Sequence, residues 1–184
     1  DGKQIAFGSD RDGNSEVYIC DSAGGGARNV SRHPSWDNYP EWSPAGDFLA
    51  FVTDRGENQD ILLCAPDGRS VMNVTNHQSW EGDPVFSPDG SELAFRTHRD
   101  GNIGVYTCEV KSRSLRNRSD NSVWNEPASW SPDGKKLAYA SSPGGNREIV
   151  VTDLETGASR NITQSPTNEW GPRWSPGGES IAFI

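Results

Sequence analysis

The chain has 184 residues and sets 26 acidic side chains against 17 basic ones, a formal charge of −9. That balance argues against a nucleic-acid surface, which needs clustered Lys and Arg to displace counterions, and against a polybasic contact with an anionic leaflet. No apolar run approaches the ~20 residues of a membrane helix, so no membrane insertion is expected. Only 32% of residues are hydrophobic, with 20 Gly, 12 Pro and 7 Trp. This is lean for a helical core but suits short strands joined by polar turns.

In chain order, Ile5-Ala6-Phe7 reads as a strand packed between two layers, because a small residue sits between two large ones. Asp12-Gly13-Asn14 signals a hairpin, and the next strand is Glu16 to Cys20. Ala23 to Gly26 is a turn, followed by the strand Ala27 to Ser31. A longer link carries Trp36 and Asp37. Tyr39-Pro40-Glu41-Trp42 is a fourth kind of strand, and Ser43-Pro44-Ala45-Gly46 is a tight turn with Pro presetting φ and Gly accepting a positive φ. Leu49-Ala50-Phe51 then begins the series again.

The series recurs at a fixed step. The turn serines Ser43, Ser87, Ser131 and Ser175 lie 44 residues apart, and so do Cys20, Cys64 and Cys108, with Thr152 in the fourth place. Second strands recur at Leu93-Ala94-Phe95, Leu137-Ala138-Tyr139 and Ile181-Ala182-Phe183. No segment has sustained helical periodicity with caps. Four short antiparallel strands per 44-residue repeat predict an all-β chain, a β-propeller of four-stranded blades with about four repeats over residues 1–184. The equivalent cysteines are poorly placed for a disulfide or a zinc site and read as small buried hydrophobes.

Trp130-Ser131-Pro132-Asp133-Gly134-Lys135-Lys136-Leu137-Ala138-Tyr139 and the run Gly2 to Tyr18 resemble the TolB-type WD-like repeat, W-S-P-D-G-x-x-I-A-F-x-S-D-R-D-G-N-x-E-I-Y. The resemblance covers the whole chain. It implies a propeller in a periplasmic or secreted setting that makes protein–protein contacts. Ala45 and Gly177 depart from it by replacing the turn Asp. Arg118 stands where Val30, Val74 and Ile162 are apolar, which predicts a more exposed outer strand in the third blade.

The two ends carry the same element. Residues 1–8 and 177–184 are copies of one second strand, so the first blade is expected to lack its innermost strand and the last to hold only two. The chain is therefore either a piece of a larger ring or half of a homodimer closing eight blades, with the Trp174 strand completing a partner's first blade.

The links before each innermost strand hold the best candidate site: Trp36 and Asp37, Trp80 and Glu81, Trp124 and Asn125, Glu169 and Trp170. Aromatic faces beside hydrogen-bonding acids suit a peptide, a sugar ring or a cation. The alternative is that each Trp only packs between blades. Asp10-Arg11-Asp12-Gly13-Asn14 has the look of a calcium loop without its full alternation of acids, and reads as a self-bonded turn; no metal or cofactor is expected. Asn29, Asn73, Asn117 and Asn161 begin formal glycosylation sequons fixed by the repeat. His33 and His77 are repeat equivalents and His98 lies in a hairpin; nothing singles out a Ser, His and Asp that would converge, so no catalytic residue is assigned. The expected function is non-catalytic protein or peptide binding. The alternatives are the propeller portion of a prolyl oligopeptidase- or tricorn-like peptidase and a glycan-binding propeller.

Overall fold

The computed structural model describes residues 2–120, 125–126 and 128–184. Seventeen strands and no helix occur among the described residues. The first sheet holds β1 (Gln4–Ser9), β2 (Glu16–Asp21) and β3 (Arg28–Asn29). The second holds β4 (Asp37–Trp42), β5 (Leu49–Thr53), β6 (Asp60–Cys64) and β7 (Met72–Asn73). The third holds β8 (Glu81–Phe86), β9 (Glu92–Thr97), β10 (Gly104–Glu109) and β11 (Leu115–Asn117). The fourth holds β12 (Ser129–Trp130), β13 (Lys136–Ser141), β14 (Glu148–Asp153) and β15 (Ser159–Asn161). A last pair joins β16 (Arg173–Trp174) to β17 (Ile181–Ala182). Sequence neighbours are sheet neighbours throughout, the up-and-down order of a propeller blade. The all-β, four-stranded reading of the repeat is borne out.

The strands group into two compact units, Asp1–Pro84 and Val85–Ile184. In the first, Val17, Ile19, Val30, Leu49, Phe51, Leu62 and Cys64 form one core, with Ala6 and Trp42 packed against it. In the second, Ala94, Val105, Ala128, Trp130, Leu137, Tyr139 and Val150 form another. The second strands of the full blades are buried on both faces: every residue of β5 is buried, and in β13 only Lys136 is exposed. Their copies at the two ends are not, since Ile5 is 48% and Phe183 47% exposed.

The Ser-Pro turns close in one way. Gly46, Gly90, Gly134 and Gly178 each donate to the carbonyl of the turn serine, and all four take positive φ, between 70° and 78°. The Ser87 and Ser131 hydroxyls donate to Asp89 and Asp133 two residues on, at 2.6 Å each. Where Ala45 removes that acid, Ser43 donates instead to Asp47 at 2.7 Å. The turn tolerates the departure because the acceptor moved two residues along the chain.

The third blade's outer strand is exposed, as the sequence predicts, but Arg118 itself is tucked in. β11 is exposed along its length, but the Arg118 side chain is only 10% exposed. Its Nε donates to Thr107 Oγ1 at 2.9 Å, Nη1 to the Leu154 carbonyl at 3.3 Å, and Nη2 lies 3.8 Å from Glu92 Oε1. The guanidinium thus fills, with polar partners on the third and fourth blades, the place that valine fills in the first two. The aliphatic stem is buried with it.

Candidate functional site

The links are tied to the hairpins between second and third strands. Asn14 Nδ2 donates to the carbonyls of His33 and Ser35, both at 2.9 Å. Asn58 does the same to His77 and Ser79, and Asn146 to Ser165 and Thr167. An acid at the head of the third strand completes the tie in the first, second and fourth blades. Glu16 accepts from the Ser31 hydroxyl and the His33 amide. Asp60 accepts from Thr75 and the His77 amide, and Glu148 from Thr163 and the Ser165 amide. The Thr163 hydroxyl, with smaller help from Ser165, holds the Glu148 carboxyl below the usual range. Sequon serines and threonines are thereby used inside the fold, and the sequon asparagines cap the turn that follows: Asn29 Oδ1 accepts from Arg32, Asn73 from Asn76 and Asn161 from Gln164.

The backbone amides of Asp37, Glu81, Asn125 and Glu169 donate to the carbonyls of Ser15, Gln59, Ile103 and Arg147, each 22 residues earlier, at 2.9 to 3.1 Å. Their side chains point inward, with exposures of 0, 0, 0 and 5%. Asp37 is gripped by Arg55 through Nη2–Oδ2 at 2.8 Å and Nε–Oδ1 at 3.3 Å. Asn125 donates to the Ile103 carbonyl, and Glu169 Oε1 accepts from Thr167. The polar half of the candidate set therefore lies behind the surface.

The aromatics lie nearer to solvent. Trp36 is half-buried, its amide held by Asp54 Oδ1 at 2.7 Å. Its ring meets Tyr39 edge-on with centroids 5.7 Å apart. Trp80 is half-buried, donates from Nε1 to Gln59 and packs across Gly82, where a Cβ would stand 2.6 Å from Cζ2. Trp170 is 40% exposed and exchanges backbone hydrogen bonds with Ile184 at 3.0 Å. Trp124 lies outside the described residues. The structure brings Trp36 to Tyr39 and hides the acids beside the links.

Tyr39, which the sequence places at the start of an innermost strand, stands out from it. It is 59% exposed and sits at φ 52°, at a one-residue register shift between Asn38 and Glu41. Asp83 and Gly171, 44 and 132 residues on, share this left-handed backbone at 54° and 62°. A bulge with a left-handed residue re-aims one side chain out of the strand. Seeing Gly and Asp at the equivalent positions was the available signal, since these residues tolerate that conformation.

The hairpin carboxylates are also engaged. Asp12 accepts from the Tyr18 hydroxyl and from Asn29 Nδ2, which together hold its carboxyl below the usual range. Arg11 covers the Tyr18 ring at 4.5 Å. Asp100 and Tyr106 repeat the bond, with Arg99 at 5.1 Å. Among the described residues no group of three or more His, Cys, Asp or Glu is placed to hold a metal ion. The His33 and His77 rings accept the amides of Ser35 and Ser79 through Nδ1, both at 3.1 Å.

No protein-family profile and no curated protein matches the chain. Solved structures do. TolB from Acinetobacter baumannii superposes with a TM-score of 0.82 at 23% identity, over 99% of this chain and 47% of that one. A putative TolB from Agrobacterium tumefaciens gives 0.77 at 21%, over 100% and 71%. A puromycin-hydrolyzing peptidase of Mycobacterium tuberculosis gives 0.73 at 16%, over 92% and 30%. The fold is that of a TolB-type β-propeller. The chain spans about half the length of the first of these proteins.

Proposed function

We propose that this chain is a non-catalytic propeller module that binds a protein or peptide segment on the surface formed by the links. The observation that carries the reading is the Trp36–Tyr39 pair. An edge-to-face aromatic pair, more than half exposed at Tyr39, is held on a bulge at a backbone angle that non-glycine residues rarely take. Packing alone gives no reason to aim a large aromatic into water there. Two rigid rings with few rotatable bonds make a low-entropy platform for a proline, an aliphatic side chain or a peptide plane. The buried acids and asparagine ties fix the links that carry the rings. Likeness to TolB favours a periplasmic or secreted setting for this activity.

Tryptophan fluorescence against peptide and glycan panels tests it. Peptide binding is expected to fall at least tenfold in the Trp36→Ala, Tyr39→Ala double variant while the urea midpoint changes little. Equal binding by both proteins would overturn the site, and selective binding of glycans would overturn the ligand class. A second reading, the propeller portion of a peptidase, is favoured by the likeness to the puromycin-hydrolyzing enzyme over 92% of this chain. A hydrolase domain in the same reading frame would carry it.

A further inference from the structure

The third and fourth sheets, both four-stranded, share one core, and beside their Ser-Pro turns lies a cleft of about 520 Å³. Sites for small ligands commonly enclose about 300–1,000 Å³. Pro88, Trp130 and Leu154 give this cleft an apolar wall, and Arg116, Arg118 and Lys135 give it three cations. Arg118 is built in. Its side chain is only 10% exposed, and hydrogen bonds to Thr107 and the Leu154 carbonyl fix Nε and Nη1. Nη2 makes no hydrogen bond among the described residues; its acid neighbour, Glu92 Oε1, stands 3.8 Å away. Burial lowers the Arg118 pKa from its ordinary value, Glu92 opposes the shift, and Arg116 adds to it. The guanidinium therefore lines the cleft with one end of its fork unused and its charge under-compensated. Val30, Val74 and Ile162 hold this place in the other repeats, so the feature belongs to one blade.

Acids line the same cleft and narrow the ligand. Asp89 and Asp133 are held by their own turns, through the Ser87 and Ser131 hydroxyls at 2.6 Å and the Ser91 and Lys135 amides at 3.0 and 3.1 Å. Glu155 is exposed. With Glu92 they set four acids against the three cations, so a dianion such as phosphate meets net repulsion. A single carboxylate with an N–H donor beside it suits both signs: the fork takes the carboxylate, and Glu92 or Glu155 takes the N–H. We propose that this cleft binds the C-terminal carboxylate of a peptide ending in an apolar residue, with Arg118 Nη2 as the anchor. Trp130, fixed by its Nε1 hydrogen bond to the Val85 carbonyl at 3.0 Å, and Leu154 form the wall for the terminal side chain. Arg116 and Lys135, both exposed, draw the carboxylate in. Trp36 and Tyr39 line no part of this cleft, so it is a second site, independent of the link surface.

The test is fluorescence anisotropy with two probes, fluorescein-labelled Gly-Ala-Leu with a free C-terminal carboxylate and the same peptide ending in an amide. The acid is expected to bind saturably at low salt, at least about tenfold more tightly than the amide. Arg118→Val should bring the acid down to the affinity of the amide. That variant should fold, because valine stands at this place in the first two repeats. If it folds poorly, Arg118→Lys keeps the charge and loses the fork; it should weaken the acid roughly fivefold and leave the amide unchanged. The Trp36→Ala, Tyr39→Ala variant should bind the acid as the parent does. Equal affinity for the two probes, no binding by the parent, or Arg118 variants indistinguishable from it would overturn the proposal. Displacement of the acid by inorganic phosphate, at concentrations where N-acetyl-leucine has no effect, would overturn the carboxylate class. Loss of the acid in the Trp36→Ala, Tyr39→Ala variant would put the peptide on the link surface and overturn the second site.

Discussion

Arg55 closes on Asp37 from 18 residues downstream, across the β4–β5 pair, and the acid it holds is fully buried. The same guanidinium donates from Nη2 to the Ser31 carbonyl at 3.0 Å, so one side chain ties the second blade's hairpin to the link arriving from the first. Removing one partner of such a pair leaves an uncompensated buried charge, whereas replacing both removes the penalty along with the attraction. Arg55→Leu is expected to cost about 3–5 kcal/mol in urea unfolding. The double variant Arg55→Leu, Asp37→Leu should recover a substantial part of that loss. A single variant as stable as the parent would show that solvent reaches the acid.

The Ser-Pro turns predict a pH dependence. Donation from the Ser87 hydroxyl, with the backbone and hydroxyl of Ser91, holds the Asp89 carboxyl below the ordinary 3.8. Ser131 and then the Lys135 amide do the same for Asp133. A carboxyl whose folded-state pKa is depressed favours folding above its unfolded value and loses that contribution as pH falls through the folded value. Urea midpoints of the parent should therefore drop below about pH 4. Asp89→Asn, Asp133→Asn should start lower at neutral pH and show a shallower acid limb. Parallel curves would exclude these turns as contributors.

Burial pushes the Cys64 thiol up to about 11, and Cys20 and Cys108 are free and buried as well. Thiolate is the reactive form, so the native protein should be nearly inert to a disulfide reagent at pH 8. Three thiols should react together in denaturant. A fast native phase of one equivalent would mean that one strand opens locally.

Gly82→Ala tests what positions Trp80. The new Cβ would meet the indole at 2.6 Å, so the ring must leave the backbone it covers. Trp80 is expected to become more accessible to iodide quenching, read as the difference between Gly82→Ala in the parent and in a Trp80→Phe background. The cost in stability should be about 1–3 kcal/mol, as for other overpacked sites. No change in quenching would place the ring elsewhere in solution.

The repeat was legible because its markers are backbone-determined. Ser43, Pro44 and Gly46 each answer a local need of one turn, and that need returns every blade. The candidate site was legible only in part. Trp36, Trp80 and Trp170 could be found by their place in the links, but Asp37 and Glu81 read equally well as ligands or as ties. Which they are depends on contacts such as Arg55, 18 residues away, and Ser15 on the previous blade. Arg118 misled for the same reason: its charge suggested exposure, and its acceptors, Thr107 and the Leu154 carbonyl, come from other strands. Tyr39 escaped because nothing in its own side chain announces a left-handed backbone.

The left-handed backbone shared by Tyr39, Asp83 and Gly171 gives three of the repeats one interchangeable position each; the fourth copy of the position is Pro127, whose ring excludes it. Because the backbone is already left-handed there, the side chain is uncoupled from the strand's pairing and from the core behind it. Gly, Asn or Asp can be placed at any of them with relief of strain, and an aromatic can be added where a contact is wanted. A blade can then acquire or lose a recognition element by one substitution, with the Ser-Pro turn, the asparagine tie and the buried acid left as they are. Specificity in such a protein would be written at these single positions, independently of stability.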